Sequence, residues 1–274
     1  RGDPTIRFEG DVVWRALRTD VGPAATRIAP AREGWRVSAW GQGARAAVAA
    51  IPRLLGEEDD PAAVTLPSGE LRDAAARSRG LRFGRTEAVW PVLLPAICGQ
   101  KVTSQQAHRA YFGILRRWGE DAPGPGRLRL PPRPEVIAAL PYYELHPVGL
   151  EQRRAVTLIR AAQGIERLQE AVSMPPAAAL SRLRTMPGIG AWTAAEVARQ
   201  AMGDPDAVSL GDFHIPNMVC WFLADEPRGD DERMLELLEP YRGQRARVVR
   251  YIERAGVKPP KFGPRLTAQR IEDL

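Results

Sequence analysis

Cysteine is nearly absent from this chain of 274 residues: Cys98 and Cys220 stand alone and far apart. Two isolated thiols exclude a disulfide scaffold, a four-thiolate zinc site and a four-cysteine iron–sulfur cluster, and they fit a reducing compartment. Histidine is as scarce. His108, His146 and His214 have no metal-ligand spacing, so no catalytic metal is expected. Long apolar runs are missing too. The best, Val89 to Ile97, is broken by Pro91 and Pro95 and falls short of the roughly 18 to 20 residues that cross a bilayer, so no membrane partner is expected. Nothing in the first ten residues resembles the apolar core of a signal peptide, and a cytoplasmic location is expected. Lysine is the fourth scarcity: of 39 Lys and Arg residues only Lys101, Lys258 and Lys261 are lysine. The net charge of +6 is therefore carried by arginine, whose planar fork suits phosphate. A basic balance favours an acidic partner such as nucleic acid. Genomic base composition also raises Arg together with Ala, Gly and Pro, so position counts for more than number.

What is present divides the chain. With 44% hydrophobic residues it can bury an ordinary core. From Asp11 to Gly43 apolar residues alternate with a period near two, as in Trp35, Val37 and Ala39 against Arg36 and Ser38, with turns at Gly22-Pro23 and Gly41-Gln42-Gly43. This pattern predicts short antiparallel strands. Ala44 to Leu55 switches to helical spacing, stopped by Gly56 and the acidic run to Pro61. Beyond Pro67 apolar residues recur at three and four, as in Ala107, Tyr111, Ile114, Leu115 and Trp118. The predicted class is α+β: a small antiparallel sheet-plus-helix domain over 1–66, then a mainly α-helical domain over 67–274. Ala122 to Pro134 reads as a connecting loop and Asp225 to Asp231 as a polar one.

The most informative segment runs from Leu183 to Ala198. A helix ending near Met186, the turn Pro187-Gly188-Ile189-Gly190, and a second helix from about Ala191 to Met202 make a helical hairpin over about 180–203. Gly188 and Gly190 permit torsions closed to other residues and remove side chains that would hold a phosphate away. Free N–H groups at the next helix start face the anion. Such a turn grips a nucleic-acid backbone without reading sequence. Asp212 lies 22 residues past Gly190, after the loop Gly203-Asp204-Pro205-Asp206 and immediately after Gly211. Upstream stands Ile97-Cys98-Gly99-Gln100-Lys101-Val102-Thr103-Ser104, and Thr103 to Gln106 reads as a helix-capping box.

The hairpin, the Gly/Pro-rich loop and the aspartate resemble the signature of the helix-hairpin-helix DNA glycosylase superfamily, and the Gly99-Gln100 stretch resembles its Gly-Gln-Gln-Val-Ser segment. Within it the chain is most similar to the 3-methyladenine DNA glycosylase II family, through Pro187 to Gly190, Trp192-Thr193-Ala194, the strand-rich start, and Pro240-Tyr241-Arg242 near the C-terminus. The resemblance implies a glycosylase of base excision repair. It would act as a monomer on double-stranded DNA containing damaged bases, associate with a bacterial-type nucleoid, flip out alkylated purines such as 3-methyladenine, and need no cofactor beyond a possible structural monovalent cation at the hairpin backbone. Two rivals stay open: a damage-binding protein without turnover, and a glycosylase for oxidised or deaminated bases.

Residue roles follow from the same resemblance. Asp212 would stabilise positive charge on the sugar and orient water, although an aspartate after glycine is also a common helix cap. Gly188, Gly190 and Thr193 would contact the DNA backbone, and Gln100 and Lys101 would fill the gap left by the flipped base. Lys101 replaces the family's second glutamine and reads equally well as a solvated lysine. Strand-cutting relatives carry a Schiff-base lysine where this chain has Trp192, so base release without lyase activity is predicted. Trp192 is open between stacking on the base and core packing. Phe213 is a second pocket aromatic, and Tyr142 and Tyr143 are open between pocket wall and buried structure. Glu196 and Arg250 depart from the family's aromatics and are assigned to the pocket, near each other or on a base edge. Arg242, Arg245, Arg247, Arg250 and Arg254 read either as a phosphate-contacting face or as a solvated helix.

Overall fold

The computed structural model describes residues 2–67 and 69–260; residues 261–274, the end of the expected helical domain with Lys261, lie outside them. Within the alternating stretch β2 (Val12–Arg18), β3 (Pro23–Pro30) and β4 (Trp35–Trp40) form, and β1 (Ile6–Glu9), which precedes it, pairs with β2, so that the four strands run antiparallel in chain order. Then come α1 (Ala44–Leu54), α2 (Glu70–Arg77), α3 (Trp90–Cys98) and α4 (Ser104–Trp118), and the short pair β5 (Glu120–Asp121) and β6 (Arg129–Leu130). The rest is helical: α5 (Pro134–Ala138), α6 (Gln152–Gln163), α7 (Ile165–Gln169), α8 (Pro176–Arg184), α9 (Ala191–Val197), α10 (Ile215–Ala224), α11 (Asp231–Leu238) and α12 (Arg245–Ala255). The class is α+β, a small antiparallel sheet followed by helices. No helix among the described residues is long and apolar enough to cross a membrane.

Contacts divide the described residues into two units, and the division is not the linear one expected at residue 66: residues 2–54 and 97–165 form one unit, and 55–67 and 69–96 with 166–260 the other. The sheet itself supplies the reason. β3 is buried at the consecutive residues Ala24, Ala25 and Thr26, so both of its faces are covered. α1 packs on β3 and β4. Trp14 and Ala16 pack with Leu128 and Leu130, and Trp14 stacks on Trp40 at 5.5 Å. The Ala122–Pro134 stretch is therefore more than a connector. It carries β5 and β6, and Gly124 (φ 83°) lies where a Cβ would come within 2.6 Å of Trp40 Cγ.

In the same unit the capping box at the start of α4 forms as the sequence predicts. Thr103 Oγ1 accepts from the Gln106 N–H at 3.3 Å, and Gln106 Oε1 accepts from the Thr103 N–H at 3.0 Å. Arg154 is buried, pairs with Glu151, and donates to the Cys98 carbonyl at 2.6 Å and the Gly149 carbonyl at 3.2 Å. It thereby ties the end of α3 to the end of the 3-10 turn Tyr142–Val148. Burial pushes the Cys98 thiol up to about 12, out of reach of thiolate chemistry.

In the other unit Leu71 and Ala74 of α2 meet Val219 and Cys220 of α10, Met234 and Leu238 of α11, and Val248, Val249 and Ile252 of α12. The hairpin helices pack through small residues, Ala195 and Ala198 against Ala207 and Leu180. α9 continues as a π-helical turn over Ala198–Met202. The Gln200 and Ala201 carbonyls accept there from the Thr86 and Glu87 N–H groups at 3.0 and 2.9 Å. Asp206 caps α12, its Oδ1 accepting from the Arg245 N–H at 3.0 Å and from Arg245 Nε at 2.8 Å. Burial pushes the Asp206 carboxyl up, but the bonds and charge of Arg245 outweigh it and the net direction is down. Asp204, more deeply buried, is pushed up by desolvation.

The arginine-rich C-terminal segment is not one continuous basic face, because Arg247 and Arg245 are drawn into the fold. Arg247 is fully buried against Asp59, Arg245 pairs with Asp206, Arg250 with Glu253, and Arg242, outside α12, with Glu239. Only Arg254 of the five is exposed with no partner among the described residues. The carboxylates that neutralise Arg247 and Arg245 come from distant segments, out of reach of a local count.

Candidate functional site

Why the hairpin turns is a matter of three residues. Ile189 is buried between the helices, with its N–H donating to the Met186 carbonyl at 3.0 Å. Gly188 sits at φ 94°, a left-handed region that disfavours any residue with a Cβ. Gly190 differs from expectation. Its φ of −89° and ψ of −174° are ordinary extended backbone, so its value is not torsional. A Cβ there would meet nothing within 4 Å, so the space beside the turn at Gly190 is open. Thr193 does not offer a side chain to a ligand: it is 2% exposed and engaged within the chain. Only its backbone belongs to that first turn.

Asp212 is partly buried between α9 and α10 in sequence, and three donors fix its carboxylate. Oδ1 accepts from the His214 and Ile215 N–H groups at 2.8 and 3.0 Å, which caps the start of α10. Oδ2 accepts from Trp192 Nε1 at 3.0 Å. Capping and a site role are thus not alternatives, because the cap aims the carboxylate. Trp192 is only partly buried, and its N–H edge is bonded to Asp212.

Phe213 is 75% exposed and meets His214 edge to face at 5.0 Å, so in this structure it forms no closed wall. Glu196 and Arg250 line one small cavity with Ser209, Ile215 and Val249, but they do not pair with each other. Glu196 bonds Arg199 and accepts from Ser209 Oγ at 2.7 Å, while Arg250 bonds Glu253. Asp212 does not line that cavity.

The remaining assigned residues belong to the first unit. Gln100 and Lys101 occupy the turn between α3 and α4, where Lys101 is exposed and holds a left-handed φ of 53°. Tyr143 is 62% exposed on the 3-10 turn and touches Tyr142 edge to face at 6.0 Å, which removes buried structure as its role. Arg154, which holds the turn carrying Gln100 and Lys101 from behind, went unnoticed in the sequence, as did Ser209. A buried arginine bonded to carbonyls 5 and 56 residues away leaves no local signal. Among the described residues no cluster of three or more His, Cys, Asp and Glu side chains could hold a metal ion.

A small sheet, a helical core, a glycine hairpin and an aspartate capped into the following helix define the class of helix-hairpin-helix DNA glycosylase folds. The comparisons carry this further. The fold superposes on a 3-methyladenine DNA glycosylase from Archaeoglobus fulgidus with a TM-score of 0.74 at 21% identity, over 91% of this chain and 88% of that one. It superposes on an 8-oxoguanine glycosylase/lyase of Clostridium acetobutylicum, in complex with double-stranded DNA, with a TM-score of 0.68 at 13% identity, over 92% and 97%. In sequence it is 30% identical over 132 residues to a thymine-DNA glycosylase of Aeropyrum pernix, 47% of this chain and 52% of that protein. The chain spans about half the length of the curated relatives it matches. No protein-family model matches it. The chain thus shares the fold of helix-hairpin-helix DNA glycosylases and, over about half its length, resembles DNA glycosylases in sequence.

Proposed function

We propose that the protein is a monofunctional DNA glycosylase of base excision repair, acting as a monomer on double-stranded DNA in the cytoplasm and releasing alkylated purines such as 3-methyladenine. The observation that carries this is the Asp212 carboxylate, aimed by two backbone N–H groups and an indole N–H. A carboxylate so held can stabilise positive charge developing on deoxyribose and orient the attacking water once the nucleotide is rotated out of the stack. Gly188 and Gly190 with the first turn of α9 hold a phosphate, Gln100 and Lys101 fill the vacated stack, and Phe213 and Tyr143 offer exposed ring faces to bases. A monovalent cation at the hairpin belongs to the same proposal: the turn offers neutral carbonyl oxygens and no carboxylate.

The test is to incubate the protein with alkylated genomic DNA and identify the released bases by mass, with Asp212→Asn as control. Release by the wild type alone is expected. Equal release by both proteins removes Asp212 from its role, and binding without release favours a damage sensor. Release of oxidised or deaminated bases instead would replace alkylated purines as the substrate class.

Two outcomes follow at the hairpin and beside it. Gly188→Ala is expected to cost about 1–2 kcal/mol in urea denaturation, from the left-handed torsion. Gly190→Ala leaves stability unchanged yet weakens DNA binding, because the added methyl stands where the phosphate approaches. Equal effects in both assays would refute this division. Trp192→Lys places an amine beside Asp212, and borohydride is expected to trap that variant on DNA while the wild type yields no adduct. A wild-type adduct would overturn monofunctional chemistry.

A further inference from the structure

We propose that Trp192 is a positioning residue that acts through Asp212, its indole N–H holding Oδ2 so that the carboxylate enters the reaction with one acceptor site free. The proposal rests on the glycosylase reading of the site. A carboxylate offers about four lone-pair sites. The His214 and Ile215 N–H groups take both sites of Oδ1, and Trp192 takes one of Oδ2. Among the described residues no other donor reaches Oδ2, and there a single water can be bound and aimed.

Indole is suited to this place by what it cannot do. Its nitrogen is a donor only, does not titrate in the working range, and carries neither charge nor nucleophile. It fixes the carboxylate without supplying a proton to it, and it leaves the negative charge available to the sugar. The N–H edge of Trp192 faces Asp212.

The same bond links grip to chemistry. Trp192 is the second residue of α9 and lies two positions after Gly190. Asp212 lies 20 residues further on, at the start of α10. A phosphate seated on the hairpin therefore bears on the helix turn that also holds the carboxylate.

Two measurements on the full chain test this. In single-turnover assays Trp192→Phe is expected to slow release roughly 10-fold, equally for every base the wild type releases and with unchanged DNA affinity, as loss of one hydrogen bond to a charged group implies. A wild-type rate, or a changed ranking of lesions, overturns the proposal; the latter would mark Trp192 as a base-stacking residue. The second readout is independent of activity. The Trp192 indole N–H resonance, identified by its loss in Trp192→Phe, is expected to move upfield and exchange faster with solvent in Asp212→Ala. An unmoved resonance overturns the hold on Oδ2 whatever the activity. A wild type that releases no base overturns the glycosylase reading instead, and the resonance then still reports whether the indole grips the carboxylate.

Discussion

Asp212→Asn is expected to lower base release on the order of 100- to 1000-fold while leaving the protein folded. The two consequences separate because the proposed function gives the side chain a second job beside the cap. As a cap, asparagine serves about as well as aspartate, and its carbonyl oxygen can take the His214 and Ile215 N–H groups now held by Oδ1. As a charge it fails, since a neutral amide cannot stabilise an oxocarbenium-like sugar. Its NH2 would also face the Trp192 N–H, donor against donor, at a cost of about 1 kcal/mol. Asp212→Ala removes both jobs and should lose roughly a further 0.5–2 kcal/mol through the uncapped α10. Single-turnover release and thermal melting of both variants check the division. An active Asn variant, or an Ala variant as stable as the Asn variant, contradicts it.

Arg247→Met is expected to give the largest loss of stability of any substitution considered, about 3–5 kcal/mol. The side chains of Arg247 and Asp59 are 0% and 6% exposed. The guanidinium also bonds Gln244 at 2.6 Å and lies over the Phe83 ring at 4.8 Å, and Asp59 Oδ2 accepts from the Phe83 N–H at 3.0 Å. Removing the arginine strands a carboxylate in a site built to hold it paired. Removing both charges, as in Arg247→Met with Asp59→Asn, should recover much of the loss, because neither partner is then left uncompensated. Urea denaturation of the two single variants and the double variant measures this cycle. Additive losses would show that the pair is not coupled. The Arg247 N–H also donates to the Pro205 carbonyl at 3.0 Å, so the loop leading towards Asp212 rests on the same anchor.

How much of the site could be read in advance depends on how far apart its partners lie. The hairpin is a run of adjacent residues, so its turn and both helices were legible in Pro187 to Gly190, and the capping box was legible in Thr103 and Gln106 for the same reason. The class of fold followed from the change from period two to period three-and-four near residue 44. The two glycines of the motif differ in mechanism, because only Gly188 needs the left-handed torsion.

By itself the sequence determined the helical hairpin, the aspartate 22 residues beyond its second glycine, and the change from strands to helices near residue 44, because each is written in neighbouring residues whose torsions and periodicity are local. The tertiary structure alone decided that Arg247 is a buried anchor rather than part of a basic face, and that residues 97–165 join the N-terminal sheet rather than the rest of the helices. It alone aimed Asp212 by Trp192. Each of these depends on groups separated by tens to nearly two hundred residues, whose meeting is set by which apolar faces must be covered and which buried charges must find a partner.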